Sequence, residues 1–163
     1  MAYTAFDPRD AIRTKIGTNG YDATTDREYY AITVNKSVSG EDVYIPIYDR
    51  EEIKSGVQPN LPFISLALVT VINKPHNIGA TVRQFIAYVD IDVAYVATSD
   101  IDIKDFGKAI KDKLHDLIRT YQASTTGVYF MNIERERYID EEIPRQMVFH
   151  YILTLKVDYS DTC

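Results

Sequence analysis

The sequence predicts an α+β protein: a mixed, mostly antiparallel β-sheet with a short N-terminal helix and one long amphipathic helix packed on one face, plus a β-hairpin extension. Three observations carry that reading. Apolar and polar residues alternate at period two in long stretches, above all 82–96 and 146–159. One stretch, 103–121, instead places apolar residues at three- and four-residue steps. The strand-like stretches cluster, mostly with short links, giving the order α–β–β–β–β–α–β–β.

Each element has a local cause. Residues 7–16 form a short helix: Asp7 is a capping residue, Pro8 fits the first helical position, and Ile12 and Ile16 share a face. Residues 17–26 carry turn chemistry in Gly17, Asn19, Gly20 and Asp22. Residues 29–35 and 43–48 flank a loop containing Gly40 and read as a hairpin. Pro46 removes a ladder donor, which predicts an edge position for the second of these strands. Residues 49–60 read as a polar connection.

Residues 61–73 are apolar at both parities (Ile64, Leu66 and Leu68; Ala67, Val69 and Val71), which predicts a central strand covered on both faces. After a loop with Pro75 and Gly79, residues 82–96 form a strand whose odd positions are apolar and whose Gln84, Asp90 and Asp92 face the other way. In the long helix, Phe106, Ile110, Leu114, Leu117 and Tyr121 lie on one stripe, and Asp102 caps its start. Residues 128–138 and 146–159 are strands, joined by a connection 139–145 that holds Asp140, Glu141, Glu142 and Pro144. Phe106, Ile110, Leu114 and Leu117 are expected to pack on Phe149, Tyr151, Leu153 and Leu155.

A chain of 163 residues, read here as a single domain over residues 1–163, buries about 70% of its surface on folding and needs no disulfide or structural metal. Hydrophobic residues at 45% and charged residues at 26% exclude a disordered or collagenous chain. The net charge of −6 and the lack of a basic stripe argue against sequence-independent grip on nucleic acid. Cys163 stands alone, so no internal disulfide forms. The start carries Asp7 and Asp10 without an apolar run, and the longest apolar stretch, 61–72, is too short to span a bilayer. These features predict a protein of the reducing cytoplasm with no membrane partner.

The sequence offers little catalytic chemistry. His76, His115 and His150 lack metal-ligand spacing and read as surface histidines. The acidic run from Asp100 to Asp105 has Lys104 and Lys111 where a calcium loop needs oxygen ligands, so helix capping explains it. Asp90 and Asp92 share a strand face at the ~7 Å spacing of paired carboxylates, but solvated strand faces commonly carry such pairs. Gly17–Gly20 lacks the lysine of a phosphate loop. No catalytic, cofactor or metal residues are therefore assigned. The unusual features are 13 tyrosines without a tryptophan, and strands that reach ~45–50 Å. The long strands are expected either to bend or break at a bulge, or to project as hairpins that grip neighbouring subunits, a role that tyrosine suits.

An early helix, Leu61-Pro62-Phe63-Ile64-Ser65-Leu66, a strand through Asp90-Ile91-Asp92-Val93, an amphipathic helix from Asp102 to Tyr121, and a closing strand with Phe149-His150-Tyr151-Ile152-Leu153-Thr154-Leu155-Lys156-Val157 follow one another. In element order and texture over most of residues 5–159, this resembles the tail terminator, or tail completion, proteins of long-tailed bacteriophages. The resemblance implies a non-enzymatic virion protein, assembled in the host cytoplasm, that forms a hexameric ring on the tail tube and joins it to the head. Its partners would be further copies of itself, the tail tube protein and the head–tail connector protein, with DNA passing through unbound. An acidic bore would repel the duplex. Asp140, Glu141 and Glu142 are the first choice for its lining, and Asp90 and Asp92 the second; the alternative is that both clusters are ordinary solvated charge. The alternatives are another phage structural part, such as a connector or baseplate piece, and a small cytoplasmic enzyme or ligand-binding protein.

Overall fold

The computed structural model describes residues 7–22, 27–35, 42–56, 59–73, 82–97, 102–119, 128–143 and 146–162. His76, Gly40, Asp100, Tyr121, Pro144 and Cys163 lie outside the described residues. In chain order the elements are α1 (Pro8–Ile16), β1 (Thr18–Asp22), β2 (Arg27–Asn35), β3 (Asp42–Asp49), α2 (Arg50–Lys54), β4 (Phe63–Asn73), β5 (Val82–Val96), α3 (Ile103–Arg119), β6 (Val128–Ile143) and β7 (Gln146–Thr162). The strands form one sheet in the order β1-β2-β3-β4-β5-β7-β6. Only β3 and β4 run parallel; every other pair is antiparallel. The α+β class stands.

The helix starts follow their sequence signals. Asp7 accepts the Arg9 backbone N–H at 2.9 Å, with Pro8 in the first turn. Asp102 accepts the N–H groups of Lys104 and Asp105 at 3.1 and 3.0 Å. Ile12 and Ile16 of α1, Phe106, Ile110, Leu114 and Ile118 of α3, and alternate residues of the sheet make one continuous core, with Leu117 and Phe149 partly buried against it. Gly107 lets α3 approach β5. A Cβ there would stand 2.7 Å from the Tyr95 hydroxyl, and the Tyr95 ring meets Phe106 edge-on at 5.6 Å.

Four expectations are corrected. Residues 18–22 are a strand, because Thr18 to Asp22 pair in full register with Ala31 to Arg27, which overrides the poor strand propensity of Asn19 and Gly20. The connection 49–60 holds α2, where Asp49 and Glu52 stand at capping-box spacing. Strand β3 is interior: it pairs with β2 on one side and with β4 on the other, the latter only from Ile47 to Asp49, just past Pro46. Residues 139–143 continue β6, with Ile139 to Ile143 opposite His150 to Gln146. There the pairing of β-forming Tyr138 and Ile139 with β7 outweighs the charges that follow.

The fifth difference concerns β4. Only Ile64, Ser65 and Leu66 are fully covered, whereas Leu68 through Asn73 are exposed. Beyond Leu66 the strand has lost β3 and keeps β5 alone. A bulge at Val69, between the pairs Leu68–Val89 and Thr70–Tyr88, shifts its register. Helix α3, with 17 residues at ~1.5 Å, spans about 26 Å, and β5, with 15 residues at ~3.3 Å, spans about 50 Å. The helical layer is therefore much shorter than the strands it covers.

Candidate functional site

The sheet face away from the helices carries the first polar cluster. Odd residues of β5 point into the core, so Asp90 and Asp92 point outward. Register brings Thr154 opposite Asp90 and His150 opposite Ala94, and on β6 brings Arg137 opposite Ile152 and Ile139 opposite His150. Thr154 donates to Asp90 Oδ1 at 2.6 Å, and Arg137 donates to Asp90 Oδ2 at 3.3 Å. The His150 ring is held on both sides, Nδ1 at 2.8 Å from Asp92 Oδ1 and Nε2 at 2.9 Å from Glu141 Oε2.

With a carboxylate on each nitrogen, both ring atoms serve as donors and the imidazolium form is favoured. The hydrogen bond to Asp92 is the main cause, with its charge and those of Glu141 adding, and against the pull of burial they lift the His150 pKa to about 9. The cluster is thus a charged clamp across three strands. Asp90 and Asp92 each serve a different partner, so they do not form the paired carboxylates of an acid–base site. His150 is not the plain surface histidine the sequence predicts: its side chain is largely covered.

The acidic run on β6 does not act as one patch. At period two, Glu141 lies on the open face with His150, while Asp140 and Glu142 lie on the other face, opposite Phe149 and Met147. All three are exposed strand residues, not residues of a loop tip.

A second cluster pins α3 to β6. Tyr151 donates its hydroxyl to Glu136 Oε1 at 2.9 Å, His115 Nε2 meets the same oxygen, and Lys111 Nζ lies 3.6 Å from Oε2. Burial pushes the Glu136 carboxyl up, but the His115 and Tyr151 hydrogen bonds outweigh it and hold the group below its usual range. Burial, then the bond to Glu136, raises the Tyr151 hydroxyl far above the phenol range. The cluster ties polar groups at a helix–sheet seam. His115, like His150, is part of a network that only the strand register reveals.

At the N-terminal end, Arg9 bonds Asp7 and Glu51, while Arg13 bonds Asp10 and Asp49, fastening α1 to α2 and the end of β3. Among the described residues, no group of three or more histidine, cysteine, aspartate or glutamate side chains is arranged to hold a metal ion, and no helix is long and apolar enough to cross a membrane.

The surface itself is the remaining feature. Apart from Tyr44, the exposed large apolar side chains among the described residues fall into two groups: Leu68, Val69, Val71 and Ile72 on β4, and Tyr138, Ile139 and Met147 at the β6–β7 hairpin. Val69 is 58% exposed and Tyr138 56%. No protein-family model matches this chain, and no curated protein matches it.

Proposed function

We propose that this chain is a non-enzymatic assembly protein that forms a homo-oligomeric ring, of the kind that tail terminator proteins of long-tailed bacteriophages place where the tail tube meets the head. The observation that carries the proposal is the bare second half of β4. Four large apolar side chains stand exposed along one strand segment that has no charged residue from Phe63 to Asn73. Exposed apolar side chains concentrated on one strand segment in this way mark an interaction site. The second apolar group, at the β6–β7 hairpin, gives a subunit two contact surfaces, as a ring requires.

In this reading the partners are further copies of the chain, a tail tube protein and a head–tail connector protein, and the ring belongs to the virion tail after assembly in the host cytoplasm. DNA passes through the bore without being held. Each copy brings a net charge of −6, which disfavours retention of a polyanion. Asp140 and Glu142 supply exposed carboxylates for the lining, whereas Glu141 lies on the opposite face, bound to His150. Asp90 and Asp92 are engaged by Arg137, Thr154 and His150 and are the weaker choice. Light scattering across a concentration series tests the ring: the mass should climb from 18.7 kDa to a fixed multiple of it.

A further inference from the structure

We infer that the contact between copies is strand addition, in which the outer edge of β4 from Leu68 to Asn73 pairs with the outer edge of β6 around Tyr138 and Ile139 of the next copy. This rests on the ring reading and names the surface that builds it.

Among the described residues, ladder partners are lacking on the outer side of β1, on β2 from Ile32 to Asn35 beyond β1, on the β4 side of β3 from Asp42 to Pro46, on the outer side of β4 past Leu66 and on the outer side of β6; the stretches of β2 and β3 are short, and that of β3 holds Asp42 and Pro46, which blunt an edge. Such edges present unpaired N–H and C=O groups to any strand that fits. The β1 edge is short and contains Asn19 and Gly20, which suit strand pairing poorly. The β4 edge is rich in β-branched residues, uncharged and apolar on both faces, so a strand laid beside it buries apolar side chains above and below.

The β6 edge is blunted by Glu134, Arg135, Glu136 and Arg137 and by a bulge between Ile133 and Arg135. Beyond these the ladder is regular, and Tyr138 and Ile139 expose apolar surface on opposite faces. Charges near Ile139 on its face are already matched within the chain: Arg137 to Asp90, and Glu141 to His150. Desolvating matched charges costs less than desolvating free ones, so the face that holds Ile139 suits an apolar partner without a charge of its own.

The placement then selects a second copy and a head-to-tail arrangement. Register aligns Asn73 with Phe85 and Tyr159 at one end of the sheet, and aligns Ile139 with His150 and Ala94 at the other. The two edges lie on opposite margins and at opposite ends, so each copy offers one edge of each kind. Two different complementary surfaces generate rings or filaments, whereas a self-matching surface gives only a two-fold dimer.

A mixing experiment tests this. Val69→Lys spoils the β4 edge and Ile139→Lys the β6 edge; both positions are exposed, so thermal melting should match the parent. Each variant alone should remain monomeric by light scattering at concentrations where the parent assembles. An equimolar mixture should form a dimer and stop there, because each variant keeps the edge the other has lost. If the parent assembles and Val69→Lys assembles equally well, the edge assignment is overturned while the ring reading stands. Assembly of Ile139→Lys into a dimer on its own would overturn it in favour of β4 pairing with itself. A parent that stays monomeric at millimolar concentration overturns both the edge and the ring.

Discussion

Strand β4 holds two regions of nearly the same composition that meet opposite fates. From Ile64 to Leu66 it runs between β3 and β5 under the helical layer, and its side chains are buried. From Leu68 to Asn73 it has β5 on one side and exposes what it carries. Cross-strand partners make the contrast sharp: Val71 is 43% exposed, and Ala87 directly opposite on β5 is fully buried. Hydrophobicity therefore does not by itself mark the core; a second layer and a strand on each side do. Where a strand stays apolar after its cover ends, the surplus is available for a contact with another molecule.

Truncations along this strand give the largest expected difference. Leu66→Ala, in the covered half, should cost about 2–5 kcal/mol in urea unfolding, as should Leu114→Ala on the buried face of α3. Val71→Ala, in the bare half, should stay within about 1 kcal/mol when measured on monomer. Equal losses at Leu66 and Val71 would erase the distinction between the halves.

A smaller effect probes how tightly the covered region is packed. Glycine to alanine in a helix interior ordinarily stabilises by about 1 kcal/mol. At Gly107 the added Cβ meets the Tyr95 hydroxyl, so Gly107→Ala should instead destabilise, by about 1–3 kcal/mol. Adding Tyr95→Phe removes the clashing oxygen and should recover part of the loss, which a double-mutant cycle of thermal melts reads directly. Asp102→Ala, at the exposed start of the same helix, should cost about 1 kcal/mol through loss of the cap.

The smallest effect concerns the open face. His150 has its pKa raised from 6.5 to about 9, so its clamp stabilises the fold fully below pH 6.5 and loses that contribution as pH rises through about 9. Chemical denaturation between those values should show stability falling with pH in the parent, and a shallower fall in His150→Gln. Identical pH profiles would show that the clamp contributes nothing.

What the sequence disclosed and what it hid divide along physical lines. Local signals sufficed for α1 and α3, because Asp7, Pro8 and Asp102 act within a turn of where they stand, and for β5, whose alternation matches its span. Pairing partners lie far away in sequence and leave no local mark. Strand β1 was hidden behind Asn19 and Gly20, and the interior place of β3 behind Pro46. The site follows the same rule. Periodicity places Asp90 and Asp92 on one strand face and His150 on another, but only the register sets His150 between Asp92 and Glu141. That register also separates Glu141 from Asp140 and Glu142, which the sequence groups together.

The bare half of β4 is proposed here as a contact surface between copies of this chain. Static light scattering of the parent, followed from micromolar to millimolar protein, tests it most directly. If the bare half of β4 joins copies into a ring, the mass rises from 18.7 kDa and levels off at one fixed multiple, as a closed ring does. A mass that stays at 18.7 kDa across the whole range would contradict it.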